Sequence, residues 1–272
     1  MTLTAPSDLE VVTGFVDSDG ERIYFEVTGS GTPLVLCHGL GGNHAIWWRQ
    51  LDRFATDHTV ITWDQRGFGN STGTGGDFGP GPARRDLAAV LDAVCPGEPV
   101  HLVGQSLGGW VALGFALTHP DRVRSLVLST TLAGAAGEET DRFVAPGVPA
   151  RTRRRHPVLS ETFCATQPDL AVLYNQISSF GAKPPAPAVV AALRADTFPA
   201  DGLAGLAVPT LLLAATDDAY CPPDVMRRVA AAIPGAEFTE VPGGHSAYYE
   251  TPGCWNDAVL TFIAQRERTG AR

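Results

Sequence analysis

The chain has 272 residues, 44% of them hydrophobic and 18% charged, with a formal net charge of −9. That length holds one large domain with a buried core, and the composition is neither that of a disordered chain nor that of a membrane-embedded one. The acidic balance opposes the attraction to phosphate backbones on which nucleic-acid binding depends.

Apolar runs are too short to span a bilayer, and Met1 to Glu10 has no basic segment followed by an apolar stretch. A soluble cytoplasmic protein that binds a small molecule, with no nucleic-acid or membrane partner, is expected; monomer and homo-oligomer are equally open. Cys37, Cys95, Cys164, Cys221 and Cys254 are odd in number and widely spread, without CxxC or Cys/His spacing. Reduced thiols are therefore expected, and no metal site. Cys37 lies in an apolar run, where cysteine acts as a small hydrophobe.

Along the chain, short β-rich runs alternate with runs of helical period, the pattern of a parallel sheet with crossover helices. Arg22–Thr28 reads as a strand and Pro33–Gly39 as a strand covered on both faces. Ile46–Ala55 suits a short helix and Thr59–Asp64 a strand. Pro82–Val94 suits a helix with Leu87, Val90, Leu91 and Val94 on one face. The strand Val100–Gly104, the helix Leu107–Thr118 and the strand Val123–Ser129 follow.

From 131 to 206 the alternation fails: Ala/Gly-rich segments, the basic run Arg151 to Arg155 and the PPAP at Pro184 to Pro187 interrupt it. It resumes with the strand Thr210–Ala215, a helix over Pro223–Ala232, the strand Glu237–Val241 and a final helix over Gly253–Gln265. The expected fold is α/β, a mostly parallel central sheet of about eight strands with helices on both faces. Residues 1–130 and 207–272 would form its core domain, and 131–206 a helical cap inserted after the sixth strand.

Serine is a poor nucleophile unless its hydroxyl is exposed, a base sits beside it and an oxyanion can be stabilised. G-x-S-x-G meets the first need by placing serine on a tight strand-to-helix turn between small residues. The pattern occurs twice, at Gly104-Gln105-Ser106-Leu107-Gly108 and at Gly69-Asn70-Ser71-Thr72-Gly73. Ser106 follows a strand and opens a helix, as the motif requires. Ser71 lies in a Gly, Ser, Thr, Asp and Pro stretch that reads as a loop, so it is expected to be a turn residue.

Oxyanion donors are expected at the backbone N–H of Leu107, where a helix begins, and of Leu40, within His38-Gly39-Leu40-Gly41-Gly42 after the Cys37 strand. His245 follows a strand end and the turn residues Pro242-Gly243-Gly244, which places it as the base; His38 would organise the oxyanion loop, and His101 and His119 read as structural. The acid belongs between nucleophile and histidine on a loop after a strand. Asp217 and Asp218 both follow TLLLAA, point different ways, and only one can reach the imidazole; Asp218 is preferred. The preceding strand end, Ser129-Thr130-Thr131, offers no acid.

HGLGG at His38, DQRGFGNS at Asp64, GQSLGG around Ser106, ATDDAYCP around Asp218 and GGHS at His245 together resemble the α/β-hydrolase family. The likeness lies near its enol-lactonases, small esterases and carbon–carbon bond hydrolases, and covers nearly everything outside 131–206. It implies Asp218 as the acid, the fourth residue counted from Ala215, where that family usually has glycine. It also makes Ser71 part of a family turn. Relatives resembling haloalkane dehalogenases and epoxide hydrolases use an aspartate nucleophile, where this chain has Ser106.

The parts suffice for cleavage of a carboxylic ester or lactone of a small, largely apolar substrate through an acyl-enzyme, with no cofactor. Carbon–carbon cleavage of a diketone-like acid is the alternative within the family. A hydrolase-like receptor or cofactor-free oxygenase is the alternative outside hydrolysis. Expected pocket residues are Gly39, Trp47, Trp48, Trp110, Phe163, Tyr174 and Tyr248, with Phe180 and Phe198 as further aromatics of the cap. The run Arg151 to Arg155 reads as a solvated basic face.

Overall fold

In the runs 34–37 and 211–214 every residue is apolar, and alternate side chains face opposite sides of one sheet. Val35, Cys37, Leu102, Leu212 and Ala214 join one hydrophobic core; Leu34, Leu36, Val103, Leu211 and Leu213 join another. Burying each of these larger side chains stabilises the fold by about 1.5–3 kcal/mol before entropy is counted, so both sheet faces must be covered. The computed structural model describes residues 10–134 and 152–270.

Eight strands run β1 (Val11–Ser18), β2 (Glu21–Thr28), β3 (Thr32–Cys37), β4 (His58–Trp63), β5 (Val100–Gln105), β6 (Val123–Ser129), β7 (Thr210–Ala215) and β8 (Glu237–Val241). They form one sheet in the order β1-β2-β4-β3-β5-β6-β7-β8. β1 and β2 pair antiparallel, as do β2 and β4, and the other pairs are parallel. The strand absent from the sequence reading is β1. It lies at the edge, with Val11, Val12 and Phe15 exposed, so it lacks the burial pattern that marks a strand. Gly14 in it leaves room for Phe25, whose ring would lie 2.6 Å from a β-carbon there.

Helices α1 (Trp48–Phe54), α2 (Pro80–Val94) and α3 (Leu107–Thr118) follow β3, β4 and β5. A 3₁₀ turn over His44–Trp47 precedes α1, capped by Asn43, whose Oδ1 accepts from Ala45 N at 3.0 Å. α2 begins two residues earlier than expected because Pro80 takes the first helical position, where its missing N–H removes no bond. Leu87, Val90 and Leu91 are buried in the first core and Val94 packs against it.

Between β6 and β7 the described residues carry α4 (Glu161–Thr166), α5 (Pro168–Ile177), α6 (Ala186–Ala195) and α7 (Ala200–Ala204). After β7 come α8 (Pro223–Ala232), α9 (Ala247–Glu250) and α10 (Pro252–Gly270). Met226 and Val229 of α8 join α2 and α3 in the first core; Phe54 of α1 and Trp255, Val259 and Phe262 of α10 lie in the second. The segment before β7 is tied down by paired bonds from Arg84 to Asp196 at 2.6 and 2.8 Å and by Asn43 Nδ2 on the Ile177 carbonyl at 2.9 Å. Among the described residues no helix is long and apolar enough to cross a membrane.

Candidate active site

β5 is buried throughout, and its end turns directly into α3 at Ser106. Ser106 has φ +51° and ψ −119°, a conformation that L-residues adopt only when their surroundings impose it. The flanking glycines explain how. A β-carbon on Gly104 would lie 2.7 Å from the Gly108 carbonyl carbon, and one on Gly108 would lie 2.6 Å from the Cys37 carbonyl carbon and 2.8 Å from the His38 oxygen. Backbone packs against backbone, leaving no space for a side chain. Ser106 N donates to the Ser129 carbonyl at 3.1 Å, and Thr131 Oγ1 donates to the Ser106 carbonyl at 2.7 Å.

His245, on the loop after β8, places Nε2 3.0 Å from Ser106 Oγ and Nδ1 2.9 Å from Asp218 Oδ2. A carboxylate only accepts, so Nδ1 carries the proton and Nε2 offers its lone pair to the serine hydroxyl. Asp218 Oδ1 accepts from Tyr220 N at 2.8 Å and Cys221 N at 3.0 Å, which pins the carboxylate in one orientation. Asp217 points to solvent; its N–H is used on the Gly243 carbonyl at 2.9 Å. Ser106, His245 and Asp218 are each at least nine-tenths buried.

Two residues that sequence reasoning missed hold the His245 main chain. Gln105 Nε2 and Thr130 Oγ1 donate to its carbonyl at 2.9 and 3.0 Å. Thr130 sits at φ +43°, a backbone state that nothing in a threonine announces. Glu250 accepts from Gly244 N at 3.1 Å and from Ser160 N and Oγ at 3.0 and 2.6 Å, joining the segment before β7 to the His245 loop. Burial raises the pKa of this carboxyl, with the donors from Ser160 and Gly244 working against it.

Beside Ser106, the Gly39 backbone passes so close that a β-carbon on it would lie 3.1 Å from Ser106 Cβ. His38 organises this loop. Gln65 N donates to its Nε2 at 3.1 Å, so Nδ1 carries the proton and donates to the Gly39 carbonyl at 2.9 Å. Burial lowers the His38 pKa, which keeps this neutral tautomer. Ser71 is buried and makes no bond to Ser106, His245 or Asp218; its Oγ donates to the Asp64 carbonyl at 2.6 Å and accepts from Tyr24 N at 2.9 Å.

The same loop continues into His44, whose N–H and Nδ1 reach Asp64 Oδ1 at 2.6 and 2.8 Å, with Glu26 3.4 Å from Nε2. Burial pushes this imidazole down, but the hydrogen bond and charge of Asp64, joined by Glu26, outweigh it and hold the pKa above 6.5. Folding therefore favours the protonated ring: this stabilisation is complete below pH 6.5 and disappears as pH rises through the folded value. His44→Gln is expected to lower the urea midpoint more near pH 5.5 than near pH 8.5. An equal loss at both would assign the effect to packing.

A cleft of about 200 Å³ opens over Ser106 and His245. Leu40, Leu107, Pro157, Val158, Val190 and Leu193 give it an apolar wall, and Tyr174, Tyr220, Ser246 and Tyr248 contribute neutral polar groups. Of the expected pocket residues Gly39, Tyr174 and Tyr248 border this cleft, as do Leu40 and Leu107, whose N–H groups are the expected oxyanion donors. Four aromatics do not. Trp47 is fully buried, its ring 4.6 Å from Tyr248 and 5.9 Å from Trp255, because its side of the 3₁₀ turn faces the second core. Trp48, one residue on, is turned outward and 41% exposed beside Tyr249. Trp110 lies in the first core against Gly134, and Phe163 is buried edge-on to Tyr249 at 5.9 Å. Phe180 is exposed, and Phe198 packs on Arg84.

Of the basic run, Arg153 to Arg155 are exposed and Arg155 pairs with Glu161; Arg151 lies outside the described residues. A second cavity, bordered by Arg155 and Asp217, adjoins the cleft at His156, Tyr220 and His245.

A serine at a strained strand-to-helix turn, a histidine and a buried aspartate beside it, and this eight-stranded sheet define the hydrolase class. A family model described as alpha/beta hydrolase fold matches residues 32–172, and one described as TAP-like protein matches 190–270. A protein of Azorhizobium caulinodans named as a carbamate hydrolase, RutD, is 35% identical over 257 residues, covering 89% of this chain and 95% of its own. The esterase of Thermogutta terrifontis, solved with malate bound, superposes with a TM-score of 0.77 at 27% identity, covering 94% of this chain and 99% of its own. Est816, an N-acyl homoserine lactone degrading enzyme, superposes with a TM-score of 0.76 at 26% identity, covering 92% of this chain and 100% of its own. The chain belongs to the α/β-hydrolase fold family.

Proposed function

We propose that this protein hydrolyses a neutral carboxylic ester or lactone of a small, largely apolar substrate through an acyl-enzyme. The observation that carries this reading is Ser106 Oγ at 3.0 Å from His245 Nε2, at the floor of an apolar cleft. Ser106 Oγ attacks the carbonyl carbon while His245 Nε2 takes its proton. Asp218 holds the imidazole and stabilises the imidazolium. The oxyanion is bound by the backbone N–H groups of Leu40 and Leu107, the second aided by the positive end of α3. His245 returns the proton to the leaving alkoxide, and water then releases the acid by the same steps in reverse.

Residues 131–206 act as the cap that selects the substrate: His156, Pro157, Val158, Tyr174, Val190 and Leu193 all border the cleft. A lining without Asp, Glu, Lys or Arg among the described residues favours a neutral substrate over the acid-bearing diketone of a carbon–carbon hydrolase. A carbamate is the second reading, carried by the 35% identity with the protein named for that activity. Its carbonyl would meet the same three side chains.

The test is labelling by a fluorophosphonate with the adduct mapped by peptide mass, followed by a panel of small esters, lactones, carbamates and vinylogous 1,5-diketones. The expected result is an adduct on Ser106 and turnover of neutral esters or lactones. Labelling at Ser71, no labelling, or turnover confined to the diketones would overturn the proposal.

A further inference from the structure

The apolar cleft contains one polar cluster that the hydrolytic cycle does not use. Tyr174, from α5, places its hydroxyl 2.9 Å from Ser246 Oγ and 3.4 Å from the Tyr248 hydroxyl. All three side chains line the cleft, and Ser246 directly follows His245, so the cluster borders the reacting centre. Around it stand the hydrocarbon groups of Val158, Val190 and Leu193 and the ring of His156, whose centroid lies 4.8 Å from that of Tyr174.

Each hydroxyl brings one proton and retains acceptor capacity. Contacts between Tyr174 and Ser246, Tyr174 and Tyr248, and Ser246 and Tyr248 link all three hydroxyls and can use all three protons, which leaves spare acceptor sites on oxygens that border the cleft. Tyr174, Ser246 and Tyr248 are each more than nine-tenths buried, and burial raises the pKa of both phenols, so the groups act as neutral donors and acceptors. In an open cleft water can donate to these oxygens. A substrate that displaces water leaves them unmet unless it carries a matching donor, and an unmet buried polar group is expensive. Fastening α5 to the His245 loop is not a sufficient reason for the trio. Tyr249 on the Leu170 carbonyl at 2.8 Å already makes that link, and Ser246 N on the Val158 carbonyl at 3.1 Å and Glu250 on Ser160 tie the same loop to the chain ahead of α4.

We infer that Tyr174, Ser246 and Tyr248 form a polar subsite that selects substrates bearing a neutral hydroxyl a few bonds from the scissile carbonyl, over hydrocarbon analogues of the same shape. This rests on the ester-cleaving reading above. The substrate hydroxyl donates to one of the trio's oxygens, replacing the displaced water.

The test compares ester pairs in which a hydroxyl replaces a methyl. On the acyl side these are methyl 3-hydroxybutanoate with methyl 3-methylbutanoate, and methyl 4-hydroxybutanoate with methyl pentanoate; on the alcohol side, 2-hydroxyethyl butanoate with propyl butanoate. Hydrolysis is followed by proton release with the full chain, in the wild type and in Tyr174→Phe, Ser246→Ala and Tyr248→Phe. At least one pair is expected to favour the hydroxyl about 10–100-fold in kcat/KM, and the variants to reduce that ratio to about threefold or less. Loss of a merely structural contact would lower both members of a pair together and leave the ratio unmoved. The ratio is internal to each folded variant, and three independent substitutions guard against one that does not fold. Ratios near unity for every pair in the wild type, or a preference that survives in the variants, would overturn the subsite. If no ester is turned over and no fluorophosphonate adduct forms, the hydrolytic reading itself fails and takes the subsite with it.

Discussion

Ser106→Ala is expected to lower kcat/KM for the best ester by about 10⁴-fold or more while leaving the thermal melting temperature near that of the wild type. The variant deletes one oxygen, and with it the bond to His245 Nε2 and the only covalent route to an acyl-enzyme. The proposed oxyanion donors and the cleft remain, so substrate should still bind. His245→Ala should lose a similar factor, and the double variant little more, because the two groups act as one unit. Multiplicative losses in the double variant would show that the hydroxyl and the imidazole work independently, and the proposed cycle would then be wrong.

Gly108→Ala should be the most damaging small substitution near the site. Its β-carbon would be driven into the Cys37 carbonyl group and the His38 oxygen, which are backbone atoms with no rotamer to change. The start of α3 and the end of β3 must separate, at a cost of about 1–3 kcal/mol. Their separation also parts the two elements that carry Leu107 and Leu40, the proposed oxyanion donors. A shift on the order of 1 Å at a reacting centre costs about 100-fold in rate, so kcat should fall by that factor with KM nearly unchanged. Gly253→Ala is the comparison, because a β-carbon there meets nothing within 4 Å. If the two variants match in melting temperature and kcat, the close approach of the two backbones has no catalytic consequence.

How much of this site can be read from residues depends on whether the constraint is local. The elbow is legible because its glycines report backbone contacts formed within five residues and against the adjacent strand. The place of His245 is legible because chain order and the alternation of strands and helices bring the C-terminal ends of the parallel strands β3 to β8 to one rim of the sheet. The pocket was legible only in part. Trp47 and Trp48 are neighbours in sequence, yet one is sealed between aromatic rings and the other faces solvent. Which way each points depends on a 3₁₀ turn passing into a helix, and aromatic content carries no such direction. Gln105 and Thr130 escaped notice for a related reason: their partner is a main-chain carbonyl 140 and 115 residues away.

The sequence by itself determined the α/β alternation, the strand-to-helix turn at Ser106 and the loop at Ser71, and the chain order of Ser106, Asp218 and His245. These follow from periodicity and from the space that glycine leaves free, both properties of short stretches of chain. Tertiary structure alone decided that β1 closes the sheet edge, which aromatics meet the cleft and which pack the core, and that three hydroxyls from two distant segments converge beside His245. Those outcomes depend on which surfaces the folded chain presses together, and a buried side chain finds its direction only when its neighbours are in place.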